Sequence, residues 1–308
     1  MKIKKISILS IIIIFVLCLY FLIRIKDKPK NTVSTVQLNS VNVTSFGAKG
    51  DGKTDSTENI QKAIDIVNQS GGGTVYFPKG IYLIDAEKSI VIKDNVTLNF
   101  SDRTILKVIP NNLEYYAVIK IEDTKNASLI GEVEIIGDRY QHKGTEGEWG
   151  FGISILGSQN IYIEGADIKN CWGDGIYIGS TKHRSYSENV TIVNPICDNN
   201  RRQGMSVISV KNLKIINPTL INTNGKPPQS GIDFEPNNSN EFLEKILLVN
   251  PIINNNRGSG IQIVLNRLSG SNNSVDINIL SQTEIRDDMH ILGNNKINAN
   301  ITFNGHQL

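Results

Sequence analysis

The chain is poor in the features that usually identify a site at sight. It has three cysteines in 308 residues, Cys18, Cys171 and Cys197, which excludes a disulfide-stapled scaffold. Two small half-buried thiols are the simpler reading of Cys171 and Cys197, and a bridge between them the alternative. Aromatic residues are only 6% and tryptophan occurs twice. No helical period of 3.6 runs through 90–305, which excludes a helical core there. Net charge is only +2. Residues 1–30 hold seven Lys/Arg and one Asp, so the remaining chain is +2 − 6 = −4. The basic balance belongs to the N-terminus, and no nucleic-acid partner is implied.

One long apolar run is present. "ISILSIIIIFVLCLYFLI", 6–23, has 18 residues and no charge. At about 1.5 Å per residue it spans a bilayer's hydrocarbon core as one transmembrane helix. "RIKDKPK" follows in place of a small-residue cleavage site. The expectation is an uncleaved signal anchor and basic flank over 1–30, a linker over 31–40 and a folded domain over 41–308. The domain is then a single-pass, extracellular one at the cell membrane, or a secreted one if the segment is cleaved. Lysines and arginines lie on both sides of the run, so they give no orientation.

What the domain does have is a repeat. "NIYIEGADIKNCWGDGIYI" (160–178) matches "NVTIVNPICDNNRRQGMSV" (189–207) without a gap. "NLKIINPTLINTNGKPPQSGIDF" (212–234) and "KILLVNPIINNNRGSGIQI" (245–263) continue the series. Each unit is two short β-type runs separated by Asn, Gly or Pro. Such a unit cannot bury its own apolar face, so the units must stack. Coils of strand and turn predict an all-β, single-stranded parallel β-helix, with Asn170, Asn199, Asn222 and Asn255 in one turn column and Asn194, Asn217 and Asn250 in another. A short amphipathic helix carrying Ile60, Ala63, Ile64 and Val67 precedes it and caps the open edge.

That cap, "SFGAKGDGKTDSTENIQKAIDIVNQSGGGTVYFPKGIYLI" (45–84), resembles the N-terminal cap of the pectate-lyase-like, right-handed parallel β-helix superfamily. The superfamily includes glycoside hydrolase family 28, rhamnogalacturonase and epimerase-like domains, and phage tailspikes. The resemblance covers about 40–305 and implies the fold and its right hand. It implies a carbohydrate partner without fixing the reaction, because the superfamily holds hydrolases, lyases, epimerases and binders. The polygalacturonase motifs, the Arg-x-Pro-x-x-Arg element of pectate lyases and the Asp-Pro-His triplet of alginate epimerases are absent from this sequence.

Candidate site residues follow from the columns. With Gly152, Gly175, Gly204, Gly231 and Gly260 as position zero, positions +1 and +3 are apolar in every coil and point inward. Position +2 points outward and reads Ser154, Tyr177, Ser206, Asp233, Gln262. Position +4 also points outward and includes Glu235. Asp233 and Glu235 are therefore outward neighbours, with Asp174 at −1 of an earlier coil as a third carboxylate. They are the candidate catalytic groups. Trp149, Trp172, Arg201 and Arg257 share position −3, and Arg202 holds −2. With Tyr177 they are the candidate substrate-binding set, because aromatic faces stack on pyranose rings and guanidinium forks grip carboxylates. Each also admits a structural reading, as a solvated acid, a turn-packing tryptophan or a surface ion pair. The expected function is hydrolysis of a polysaccharide by these carboxylates. The alternatives are a uronate lyase or epimerase, in which Asp233 and Glu235 could hold calcium, and a glycan-binding solenoid without turnover. The hydrolase reading needs no cofactor. The sequence does not give the oligomeric state.

Overall fold

The computed structural model describes residues 40–282, 285–293 and 297–308. All belong to one compact unit, Gln37–Leu308. The 6–23 run and the linker expected over 31–40, apart from Ser40, lie outside the described residues. Among the described residues no helix is long and apolar enough to cross a membrane.

The domain is a parallel β-helix with three strand-bearing faces, followed in chain order in each coil. The strands Gln159–Glu164, Ser187–Val193, Val210–Ile216 and Leu243–Val249 ladder on the first face. Ala166–Lys169, Ile196–Asp198, Thr219–Ile221 and Ile252–Asn254 ladder on the second. The third runs from Ile90–Val91 through Tyr115–Glu122, Trp149–Leu156, Ile176–Gly179, Met205–Val207, Ile232–Phe234 and Ile261–Val264 to Met289–Leu292.

The inward columns fall where the repeat places them. Ile153, Ile176, Met205, Ile232 and Ile261 are fully buried, and so are Ile155, Ile178, Val207, Phe234 and Ile263. Apolar side chains, mostly isoleucine, stack one coil above another, about 4.8 Å apart, and fill a continuous core. Cys171 and Cys197 are buried free thiols inside it, so no bridge forms.

The cap helix is Thr57–Gln69, and its stripe of Ile60, Ala63, Ile64 and Val67 is fully buried. Asp55 Oδ1 accepts from the Thr57 N–H at 2.9 Å and from its hydroxyl at 2.6 Å, satisfying the helix start. Gly71 and Gly72, at φ 100° and 113°, end it in a conformation that other residues rarely adopt.

Both expected asparagine columns take left-handed backbone, with φ between 48° and 60°. Asn199 Nδ2 donates to Asn170 Oδ1 at 2.7 Å, and Asn255 Nδ2 to Asn222 Oδ1 at 2.6 Å. Asn222 turns to Asp198 instead of Asn199, at 2.7 Å. A third ladder escaped the repeat comparison. Asn95, Asn126, Asn160, Asn189 and Asn212 bond in unbroken series, 3.0, 2.9, 3.0 and 2.7 Å apart.

Candidate functional site on the third face

Strand register aligns Lys120, Ser154, Tyr177, Ser206, Asp233, Gln262 and His290 along the outside of the third face. A simple rule connects this row to position −1. Each −1 side chain meets the +2 side chain of the next coil. The ring of Phe151 stacks on Tyr177 with centroids 4.6 Å apart. The Ser206 hydroxyl donates to Asp174 Oδ2 at 2.8 Å. Gln203 Nε2 donates to Asp233 Oδ2 at 2.6 Å, and the Ser230 hydroxyl lies 3.5 Å from Gln262 Oε1. These diagonal pairs tie consecutive coils together by side chains as well as backbone.

The candidate carboxylates come together under this rule, but not as solvated groups. Asp174 is 0% exposed and Asp233 1%, while Glu235 is half-buried. The structural alternative, acids solvated on an outer strand face, does not hold for Asp174 and Asp233, because that face is not open. Loops cover it. Glu148 from the 137–150 insertion reaches over the site. The 237–241 turn closes the other side, where the backbone N–H groups of Asn237 and Asn238 donate to Glu241 Oε2 and Ser180 donates to Glu241 Oε1 at 3.4 Å.

Burial dominates the chemistry of the pair. It pushes Asp233 up to about 8, and the neighbouring Glu235 charge adds to this. Arg202 and the Gln203 amide oppose the rise without cancelling it. Gln262 Nε2 is a second donor to Oδ2 at 3.2 Å, whereas Oδ1 is buried with no partner. Asp233 thus carries a proton at neutral pH. Burial raises Asp174 to about 6, against the pull of Arg202 and Ser206. Arg202 Nη1 lies 3.1 Å from Asp174 Oδ2, and its Nε faces Glu148 Oε1 at 3.8 Å with no hydrogen-bond partner. Burial works against the guanidinium charge. Asp174, Glu148, Asp233 and Glu235 outweigh that and hold it above its ordinary value. Burial also raises the Tyr177 hydroxyl to about 12.

The position −3 residues do not form the expected sugar-binding row. Trp172 has no free face: His142 stacks on one side at 4.0 Å and the Arg201 guanidinium on the other at 3.6 Å. Arg201 Nη1 donates to the Trp172 and Gly147 carbonyls. Asp138, fully buried, accepts from His142 Nδ1 at 2.9 Å, from the Asn111 N–H at 3.1 Å and from the Tyr116 hydroxyl. Trp172 and Arg201 therefore fasten the 137–150 loop. This corrects their assignment to substrate, because a flat ring between two stacked partners offers no platform. Trp149 is 42% exposed and keeps an open surface, and Arg257 is exposed at a coil further along. Of the expected set, Asp174, Arg202, Asp233, Glu235 and Tyr177 converge.

Gln203, Glu148 and the Asp138–His142 pair escaped the sequence reading. Gln203 was findable, since it occupies the same −1 column as Asp174. Glu148 and His142 lie in an insertion, where no column exists.

Calcium does not suit this arrangement. Among the described residues no three acidic, histidine or cysteine side chains are placed to hold a metal ion. Asp233 faces two amide N–H donors, and the nearest cation to the carboxylates is a guanidinium.

A family model described as rhamnogalacturonase A/epimerase, pectate lyase-like, matches residues 40–276. The chain belongs to this family. It is 32% identical over 221 residues to the uncharacterized protein YclG of Bacillus subtilis, covering 63% of this chain and 38% of that protein. It is 30% identical over 148 residues to mannuronan C5-epimerase AlgE6 of Azotobacter vinelandii, 44% of this chain and 17% of the epimerase. A 60-residue stretch is 52% identical to alginate lyase 7 of the same organism, 18% of this chain and 7% of the lyase. The chain spans well under half the length of these relatives. The A-module of AlgE6 superposes with a TM-score of 0.60 at 19% identity, over 81% of this chain and 68% of the module, a likeness of fold.

Proposed function

We propose that the domain acts on a uronic-acid polysaccharide at the third face, as a lyase or C5-epimerase. The observation that carries this reading is the buried guanidinium of Arg202 set among Asp174, Asp233 and Glu235. Both reactions begin by removing the proton α to a carboxylate, which needs a cation to neutralise that carboxylate and a base to take the proton. Arg202, with Nε unpaired, supplies the charge. Glu235, half-exposed at the mouth, takes the C5 proton. Asp233, protonated at neutral pH beneath it, is the acid. In elimination its proton goes to the departing glycosidic oxygen as the C4–O bond breaks. In epimerisation a proton returns to C5 from the opposite side. The names of AlgE6 and alginate lyase 7 describe those proteins as a mannuronan C5-epimerase and an alginate lyase, which supports the reading.

One observation favours hydrolysis as a second reading. A protonated carboxyl beside a second carboxylate is also the acid and base of a glycosidase. Incubating residues 31–308 with polymannuronate, polyguluronate, polygalacturonate and neutral glucans separates the two. An unsaturated, ultraviolet-absorbing end marks a lyase, altered C5 configuration by NMR marks an epimerase, and saturated reducing ends mark a hydrolase. The 6–23 run would tether such a domain to a membrane, which membrane fractionation of the full chain with and without 1–30 tests.

A further inference from the structure

The carboxylate cluster offers an anionic polymer a single guanidinium, Arg202, which also engages Asp174 and Glu148. A second cationic feature stands on the same wall. The strand Ile176–Gly179, which carries Tyr177, runs into a loop reading Lys182, His183, Arg184. The loop is tightly built. Thr181 Oγ1 accepts from the His183 and Arg184 N–H groups at 3.2 and 3.1 Å and donates to Asp123 at 2.6 Å, while the Thr181 N–H donates to the Arg184 carbonyl at 2.8 Å. It borders an open pocket of about 310 Å³ lined by Gln159, His183, Arg184, Ser185 and Tyr186. Tyr186 is held edge-on to Phe242 at 5.1 Å and under Lys211 at 4.7 Å, so this wall is anchored. Arg184 Nη1 is buried and has no partner. Buried charged donors are ordinarily paired, so an unpaired one beside a pocket marks a missing acceptor. The acids nearby are already engaged: Gln159 Nε2 donates to Glu188 at 2.7 Å, and Asp123 is bound by Thr181.

We infer that this pocket is an accessory subsite that receives a carboxylate of the substrate polymer on Arg184, remote from the sugar undergoing reaction. The inference rests on the uronate reading above and adds to Arg202 a second cation, for a sugar of the same polymer away from the reacting one. The loop is continuous with the site: Ser180 bonds Glu241, and Glu241 holds the turn whose Asn237 side chain bonds the Tyr177 hydroxyl.

The test compares wild type, Arg184→Met and Arg184→Lys on polymannuronate and polygalacturonate, with hexa-uronates titrated calorimetrically into each protein. The expected result is a rise in KM and in oligomer Kd of about tenfold in Arg184→Met, the loss of one charge-assisted contact. Its kcat holds within about twofold, the effect shrinks in high salt, and Arg184→Lys recovers part of the loss. Unchanged KM and Kd in a folded Arg184→Met overturn the subsite while leaving the uronate reading standing. Oligomer binding that depends on Arg184 with no turnover by wild type supports the subsite and sinks the enzymatic reading. Sulfate or acetate bound at Arg184 without any oligomer affinity overturns the subsite as well.

Discussion

Asparagine in place of Asp233 should stabilise the fold at alkaline pH while abolishing turnover. Asp233 titrates near 8 in the folded chain against an ordinary 3.8. A carboxyl whose folded-state value is raised holds its proton more tightly folded than unfolded. Stability therefore falls as pH rises from about 4 to about 8, and is flat outside that window. Four units at about 1.4 kcal/mol each set a ceiling on the order of 5 kcal/mol. An amide keeps the carboxyl's shape, can still accept from Gln203 and Gln262, and never ionises. Asp174 titrates in both proteins and largely cancels. The expected outcome of urea unfolding is little difference between wild type and Asp233→Asn at pH 4, growing to about 2–4 kcal/mol in favour of the variant at pH 9. A difference that is constant with pH, or wild type gaining stability between pH 5 and 8 relative to the variant, would refute the burial of an ionisable acid at this position.

Glu235→Gln should lose at least about a hundredfold in kcat, because the group takes the C5 proton, and its steady-state kinetics check this. Trp172→Ala should cost about 3 kcal/mol of stability and speed amide exchange across 138–149, since it removes the plate between His142 and Arg201. Asn160→Val should cost about 1–2 kcal/mol, because a β-branched residue resists φ 57° and the ladder to Asn126 and Asn189 breaks. Chemical denaturation measures both losses.

The repeat made much of this legible. Alternation along a strand and stacking between coils are both periodic, so Ile153 to Ile261 announced the core and Asp233 with Glu235 announced an outward pair. The cap helix was equally plain from Ile60, Ala63, Ile64 and Val67. What failed was the step from direction to environment. Outward direction says nothing of what lies over a side chain: Glu148 and the Glu241 turn lie in insertions that no column can position, and Asp174 and Asp233 are buried. The same blind spot turned Trp172 into a sugar platform. Its partner His142 comes from an irregular loop, and a stack across a loop leaves no periodic trace. Gln203 shows the opposite case, a residue within a column that was not carried through every coil.

The central claim is that the carboxylates around Arg202 process a uronate polymer by removing its C5 proton. The direct measurement is NMR of polymannuronate and polygalacturonate after incubation in deuterium oxide with wild type and with Glu235→Gln. The account predicts deuterium at C5 or a 4,5-unsaturated end with wild type and neither with the variant. Cleavage to saturated reducing ends without C5 exchange, or no change in either polymer, would contradict it.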